Sequence, residues 1–347
     1  MSDEPLLSVR DLEVSFQTEH GLVRAVDGVS FDLHPREILA VVGESGCGKS
    51  VTAMTLLGLT RSPNTRFAGT ADYRWHELIG ASEGELRQLR GAEIAMVFQD
   101  PMTSLNPVLR IGEQITEQIQ AHEDVSDTAA RERAIALLEK VGIARHRERV
   151  DSYPHEFSGG MRQRVMIAMA LSCDPSVLIA DEPTTALDVT IQAQILERIR
   201  ELRDETGAAV ILVTHDLGVV ADVADRVAVM YAGRIVEQGT LDEIFYDPQH
   251  PYTWGLLGSI TRVDRPRPNR LPAIPGLPPS LADPPQGCHF RPRCPHEFDR
   301  CPQPPPLERR GGRSEGHADR CWLDPERKRE AREVEGQIGL TVRTETT

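Results

Sequence analysis

The feature that most constrains this chain is the run of residues 43–50, which matches the phosphate-binding pattern G-x-x-x-x-G-K-[ST] without a gap. An apolar run of strand length, residues 38–42, precedes it, and residues 51–59 have helical character. Glycines let successive backbone N–H groups turn toward phosphate oxygens, and the following helix adds its own free N–H groups. This context predicts a nucleotide-phosphate loop rather than an ordinary glycine turn.

Two side chains at the end of this run have distinct predicted roles. We expect Lys49 to reach the β- and γ-phosphates, and the Ser50 hydroxyl to ligate Mg²⁺. The residues of the segment that we predict to bind nucleotide are Gly43, Glu44, Ser45, Gly46, Cys47, Gly48, Lys49, Ser50 and Val51.

The composition limits the class of protein. A length of 347 residues suits one large or two moderate domains. The formal net charge of −14 argues against a general nucleic-acid-binding surface. No apolar run approaches the roughly 18 residues that span a bilayer, and the first residues lack the basic start and apolar run of a signal peptide. We therefore expect a cytoplasmic protein.

Two early alternating runs, residues 6–16 and 22–33, predict a small antiparallel sheet beside the nucleotide. Phe16 ends the first run next to a turn, so we predict that it stacks on the adenine ring. The alternative is an aromatic residue of the strand core.

Polar side chains end three later apolar strands, at Gln99, at the adjacent Asp181 and Glu182, and at His215. We predict that Gln99 contacts Mg²⁺ or the attacking water, and that Asp181 binds Mg²⁺ through water. Glu182 can polarise a water toward the γ-phosphate. The alternatives are a turn glutamine and a structural histidine.

Residues 111–149 have helical apolar periodicity and predict an inserted helical subdomain. Another helix start follows at Ser158, Gly159, Gly160 and Met161. A serine N-cap with two glycines leaves the helix N-terminus bare, which predicts a second anion site. An ordinary capped helix is the alternative.

Beyond residue 260 the chain is rich in Pro and Arg and predicts an extended arm. It contains four cysteines, Cys288, Cys294, Cys301 and Cys321. Structural zinc sites usually have close cysteine pairs, which this spacing lacks, whereas a [4Fe–4S] cluster takes four cysteines. The spacing therefore favours [4Fe–4S]. His289 and His296 keep zinc open, and reduced thiols or disulfides remain a third alternative.

Over about residues 5–260, these segments resemble the motifs of the ATP-binding subunit of ABC transporters, in the same order and at similar spacing. Phe16 resembles the A-loop aromatic residue, residues 43–50 the Walker A loop, and Gln99 the Q-loop glutamine.

The remaining motifs also have counterparts. Residues 158–161 resemble the signature motif, with Met161 where glutamine is commonest. Asp181 resembles the Walker B aspartate and Glu182 the catalytic glutamate. Asp188 resembles the D-loop aspartate, and His215 resembles the switch histidine.

The resemblance implies an α/β fold with a P-loop, RecA-like core and an antiparallel β subdomain in a domain of residues 1–260. A helical subdomain is inserted at about residues 100–172. A Cys-rich and Pro-rich extension at 261–325 and a charged tail at 326–347 follow. The ligands implied are ATP and Mg²⁺. No catalytic position is missing, so the resemblance implies an active ATPase.

In this family two subunits close head to tail. Each ATP is then held between the 43–50 loop of one subunit and the 158–161 segment of the other. The resemblance therefore implies that the second anion site of one chain serves the nucleotide of its partner.

The arm resembles that of oligopeptide and dipeptide importer ATPases of the D-subunit type, in His-Pro-Tyr-Thr at 250–253, Pro-Gly-Leu-Pro-Pro at 275–279 and residues 287–295. This implies peptide import, although nickel and sugar importers share the module. It also implies a heterodimer with a second ATPase, two permease subunits, an extracytoplasmic binding protein, and a peripheral place on the cytoplasmic face of the membrane. Some members carry an iron–sulfur cluster at these cysteines.

Two other classes remain. A soluble ABC ATPase acting on DNA or ribosomes conflicts with the acidic charge and the lack of a long coiled-coil insertion. A non-catalytic iron–sulfur regulator conflicts with the presence of Glu182 and His215.

Overall fold

The computed structural model describes residues 4–19, 21–100, 104–185, 189–259, 274–309 and 316–334. Its strands are β1 (Leu7–Thr18), β2 (Gly21–Leu33), β3 (Ile38–Val42), β4 (Thr65–Tyr73), β5 (His76–Glu77), β6 (Ile94–Val97), β7 (Val177–Asp181), β8 (Ala209–Thr214), β9 (Arg226–Tyr231), β10 (Arg234–Thr240), β11 (Glu308–Arg309) and β12 (Ala318–Asp319). Its α-helices are α1 (Lys49–Leu56), α2 (Glu83–Leu89), α3 (Ile111–His122), α4 (Asp127–Lys140), α5 (His146–Arg149), α6 (Gly159–Ala170), α7 (Val189–Thr206), α8 (Leu217–Val223), α9 (Leu241–Tyr246), α10 (Pro251–Gly258) and α11 (Pro325–Val334).

The larger sheet has the strand order β11-β12-β10-β9-β3-β8-β7-β6. Strands β9, β3, β8, β7 and β6 are parallel, and β10, β12 and β11 extend the sheet in antiparallel fashion. Every residue of β3, β7 and β8 is buried, as expected of parallel strands that are covered on both faces. The parallel arrangement brings the carboxyl ends of β3, β7, β8 and β6 to one edge.

The smaller sheet is antiparallel, with the strand order β2-β1-β4-β5. It confirms the predicted early sheet, because β1 pairs with β2 from Leu7 opposite Leu33 to Thr18 opposite Gly21. The apolar faces of the two sheets share one core around α1, to which Val9, Val41 and Ile179 contribute. This packing fixes the loop between β3 and α1.

The helices α3 to α6 lie between β6 and β7 in the chain, in the range predicted for the helical subdomain. Ile111, Ile115 and Ile119 are fully buried on one face of α3, which matches the i, i+4 apolar pattern. They share a core with α6 and with β6 and β7, so the insertion is anchored on the parallel sheet.

The sequence predicts an extended arm beyond residue 260, whereas in the structure the C-terminal extension adds strands to the larger sheet. Strand β12 pairs with β10 and β11. Helix α11, at the start of the predicted charged tail, is docked on the extension: Lys328 is fully buried and donates to Asp319 over 2.7 Å. Three of the arm's prolines, Pro266, Pro268 and Pro272, and residues 335–347 lie outside the described residues.

A buried carboxylate, Glu237, connects the extension to the core. It accepts the backbone N–H groups of Gln249 over 2.6 Å and His250 over 2.9 Å. The same carboxylate also contacts His317, whose Nε2 lies 2.9 Å from Glu237 Oε1. Burial lowers the pKa of His317, but the hydrogen bond to Glu237 and the charge of that carboxylate outweigh burial and raise it above its ordinary value.

We therefore expect a pH-dependent stability that His317 controls. Because its folded-state pKa is raised, its stabilisation is complete below the unfolded value of about 6.5 and is lost as the pH rises through the folded value. The melting temperature of the parent should fall more steeply from about pH 6 to about pH 9 than that of His317→Gln. His155→Gln, which changes an exposed histidine, serves as the control. If the melting temperatures of the parent and of His317→Gln changed in parallel with pH, the assignment to His317 would be contradicted.

Candidate functional site

The loop of residues 43–50 wraps around the N-terminus of α1. Gly48 has a φ of 106°, and a Cβ there would lie 2.3 Å from the carbonyl oxygen of Ala25, so the position admits only glycine. The side chain of the next residue, Lys49, is buried, and its Nζ donates to Gly43 O over 2.8 Å and to Glu44 O over 3.0 Å. The loop therefore holds a fixed cation at the N-terminus of α1, where the first backbone N–H groups have no partner within the helix.

Two of the three side chains predicted to serve Mg²⁺ are in contact, since Ser50 Oγ donates to Asp181 Oδ1 over 2.9 Å. Burial raises the pKa of Asp181, as does the charge of Glu182, whereas Ser50 and Lys49 act in the opposite direction. A buried carboxylate beside a hydroxyl is a hard-oxygen pair that suits Mg²⁺. A divalent cation there would favour the ionised form.

Glu182 is the centre of a hydrogen-bonded group at the same edge. Its Oε2 accepts from Gln99 Nε2 over 3.0 Å and from Thr185 Oγ1 over 2.8 Å. His215 Nδ1 lies 3.2 Å from its Oε1. The groups meet because β6, β7 and β8 are adjacent and parallel. Sequence reasoning identified three of the four residues and missed Thr185.

Two properties of Glu182 are characteristic of functional sites. Its φ is 45°, a left-handed conformation that is rare for a residue with a side chain. Burial, the largest influence, raises the pKa of Glu182, but hydrogen bonds from Thr185 and His215, with the charges of His215 and Lys49, bring it below its ordinary value. The carboxylate is therefore ionised at neutral pH and can accept a hydrogen bond from a water.

The loop and the Glu182 group border one open cleft of about 330 Å³. The lining residues are Gly43, Glu44, Ser45, Glu182, His215 and Leu256. Leu256 belongs to α10, so the chain that follows the core closes one side of the cleft. Sequence reasoning missed it, because an apolar helix residue carries no signal of its own.

The other predicted residues lie elsewhere. Phe16 is half-buried against the core between the two sheets and is not among the residues lining the cleft. Ser158 caps α6 by accepting the Met161 N–H over 3.3 Å, and none of residues 158–161 lines the cleft. The two predicted anion sites are thus separate within one chain. Asp188 lies outside the described residues.

The four predicted cysteine ligands meet around one cavity in the extension, together with Phe290, Trp322 and other residues. The Phe298 N–H donates to Cys301 Sγ over 3.5 Å. The backbone at Phe290, His296 and Leu323 acts to lower the pKa of Cys288, Cys294 and Cys321, respectively, against the larger effect of burial.

The thiols of this cavity are strongly perturbed. Burial raises the pKa of Cys294 and of Cys321 to about 12, so they stay protonated at neutral pH unless a metal displaces the protons. Within the described ranges, no three or more His, Cys, Asp or Glu residues are grouped as ligands of a single metal ion. Neither the predicted [4Fe–4S] cluster nor the zinc alternative gains support from this grouping.

Sequence comparison finds two family matches. The profile described as "ABC transporter" matches residues 26–185, and the profile described as "Oligopeptide/dipeptide transporter, C-terminal region" matches residues 236–301. The dipeptide transport ATP-binding protein DppD of Bacillus subtilis is 53% identical over 94% of this chain and 97% of its own length. The oligopeptide transport ATP-binding protein OppD of Escherichia coli is 51% identical over 88% and 90%, respectively.

Similar solved structures agree with the fold. A dimeric ATP-binding cassette in a post-hydrolysis state with ADP and Pi has a TM-score of 0.62 at 25% identity, covering 68% of this chain and 98% of that one. An ATP-binding subunit of an ABC transporter has a TM-score of 0.56 at 30% identity, covering 69% and 91%. None of the described helices combines the length and apolarity needed to cross a bilayer.

Proposed function

The chain belongs to the ATP-binding subunits of ABC transporters, in the oligopeptide and dipeptide branch, and we propose that it powers the import of short peptides. It is an ATPase of the cassette fold. The observation that supports ATP hydrolysis most directly is the Glu182 group, in which Gln99, Thr185 and His215 surround one carboxylate beside the phosphate loop. The match of residues 236–301 to the C-terminal region of oligopeptide and dipeptide transporters supports peptides as the cargo.

In the proposed reaction, Lys49 and the loop N–H groups hold the β- and γ-phosphates of ATP. Ser50, Asp181 and Gln99 would hold Mg²⁺, and Glu182 orients the water that attacks the γ-phosphate. His215 contacts the γ-phosphate and keeps the Glu182 carboxylate in place. Phe16 stacks on the adenine ring. These roles combine positioning with electrostatic stabilisation, which dominate phosphoryl transfer.

We assign the second anion site to the ATP of a partner subunit. Residues 158–161 start a capped helix with exposed Ser158 and Gly159, so the helix N-terminus is free to meet an anion from outside the chain. Two subunits closing head to tail would complete two composite sites, with Asp188 at the contact. A related but distinct ATPase is the proposed partner, giving a heterodimer on the cytoplasmic face of the membrane.

The proposed contact with the membrane permeases is a groove of about 550 Å³ between the parallel sheet and the helical subdomain. Phe98, Ser104, Asn106 and Leu109 line it, and we propose that residues 99–107 beside it, of which 101–103 lie outside the described residues, take part in the same contact. Phe98 is 38% exposed, and an apolar groove of this kind suits the apolar face of a partner helix. Gln99 then joins the groove to the nucleotide.

The first prediction of this function concerns partners. The tagged chain, purified from detergent-solubilised membranes of its own cells, should co-elute with two permease subunits and a second ATPase. An extracytoplasmic peptide-binding protein should stimulate ATP hydrolysis by the complex when reconstituted with peptide. A nickel- or sugar-binding protein as the stimulating partner would redirect the cargo, and nucleic acid in place of permeases would contradict transport.

The second prediction concerns Glu182→Gln. Without the carboxylate, water is poorly oriented, so ATP hydrolysis should fall about 100-fold or more while ATP binding and ATP-dependent dimerisation persist. Phosphate release and nucleotide affinity measured on the same sample separate the two effects. Glu197→Gln, an exposed change on α7, should hydrolyse ATP like the parent, and parental turnover in Glu182→Gln would refute the role.

For the four cysteines we propose a [4Fe–4S] cluster. The donor set fits, because four cysteines line one cavity and Cys301 Sγ accepts a backbone N–H, and such hydrogen bonds tune cluster sulfurs. Bound there, the cluster would cross-link four points of the extension and supply a one-electron redox centre.

Anaerobic purification tests this proposal. The protein should contain about four iron and four sulfide per chain and show the visible absorbance of an iron–sulfur cluster. Cys301→Ser should lower the iron content, whereas Cys173→Ser, which changes a cysteine of the helical subdomain, should not. Zinc without sulfide, or no metal in the anaerobic sample, would overturn it.

A further inference from the structure

An ion pair joins the phosphate loop to the C-terminal extension. Arg293 Nη1 lies 2.5 Å from Glu44 Oε2, and Arg293 Nη2 lies 3.0 Å from Glu44 Oε1. The two residues are 249 positions apart, and the arginine side chain is only 4% exposed. A bidentate, nearly buried pair of this kind is strong and directional.

The extension holds the guanidinium of Arg293 rigidly. Its Nε donates to Pro275 O over 2.9 Å, and Nη2 donates to Ile274 O over 3.3 Å. The group also lies within 5.8 Å of the Tyr231 ring centre and 6.0 Å of the Phe290 ring centre. These contacts leave the arginine little freedom, so its positive charge has a fixed position.

Glu44 is held at both its main chain and its side chain. Its N–H donates to the hydroxyl of the buried Tyr252 over 2.9 Å, and Lys49 Nζ donates to its carbonyl oxygen. Glu44 also lines the cleft between the loop and His215. A carboxylate at this place repels a triphosphate unless a neighbouring cation neutralises it.

We propose that Arg293 is a positioning residue of the nucleotide site, which neutralises Glu44 and fixes the first turn of the phosphate loop. The C-terminal extension thereby sets the ATP affinity of this subunit. The inference rests on the proposed function only in that the cleft binds ATP. It adds a residue outside the cassette motifs, and it gives the extension a role in nucleotide binding.

The experiment compares equilibrium ATP affinities of full-length variants. Arg293→Ala leaves the Glu44 carboxylate unpaired beside the phosphates, so its ATP dissociation constant should rise about tenfold. Arg293→Ala with Glu44→Gln removes that charge and should regain most of the affinity. Arg291→Ala, two residues away and paired with Glu297, should stay within about twofold of the parent. KM for ATP should change more than kcat.

The outcomes separate charge from packing. Equal affinities of the parent and Arg293→Ala would overturn the proposal, as would a double variant that is no better than Arg293→Ala. If Arg293→Ala fails to fold, Arg293→Lys serves in its place, because it keeps the positive charge. Its ATP affinity should lie between those of the parent and the unpaired state. A complete loss of ATP binding in the folded lysine variant would refute the proposal. A parent that binds no ATP would instead refute the proposed function.

Discussion

The site depends on compensating negative charge at the end of a buried parallel sheet. Asp181 and Glu182 end β7, and a triphosphate would bring further negative charge to the same place. Burial makes each uncompensated charge costly. The structure responds with fixed partners: the buried Lys49 ammonium, the hydroxyl of Ser50 and the loop N–H groups. The remaining compensation must come from the Mg²⁺ that accompanies ATP, which makes ligand binding and the ordering of the site one process.

Topology explains why these groups meet. Three polar residues far apart in the chain end neighbouring parallel strands, and parallel strands present their carboxyl ends at a single edge. Gln99 and His215 therefore reach opposite oxygens of Glu182 without any local sequence relationship. The left-handed backbone at Glu182 turns its side chain toward the cleft while the strand stays in register.

Local pattern could predict much of this arrangement. The glycine loop, the buried strands and the polar strand ends are short-range signals, and each follows from backbone geometry or from two-sided burial. The pairing of Glu44 with Arg293 and the docking of α11 through Lys328 could not be predicted, because each depends on contacts between distant segments. A charged helix next to a polar terminus looks solvated in sequence until a buried Asp319 is found opposite its lysine. The contact of Thr185 with Glu182 is easier to predict, since the two residues are only three positions apart.

The first structural role of the extension is to add strands β12 and β11 to the larger sheet. Strand β10 would be an exposed edge without it, and β12 and β11 cover that edge, which natural proteins otherwise protect with charges or bulges. Once the extension is fixed there, the turn at Arg291–Arg293 lies over the aromatic rings of Tyr231 and Phe290 and delivers an arginine to the phosphate loop. Cys294 follows that arginine directly. One turn therefore supplies both a lining residue of the four-cysteine cavity and the cation that pairs with Glu44 of the phosphate loop.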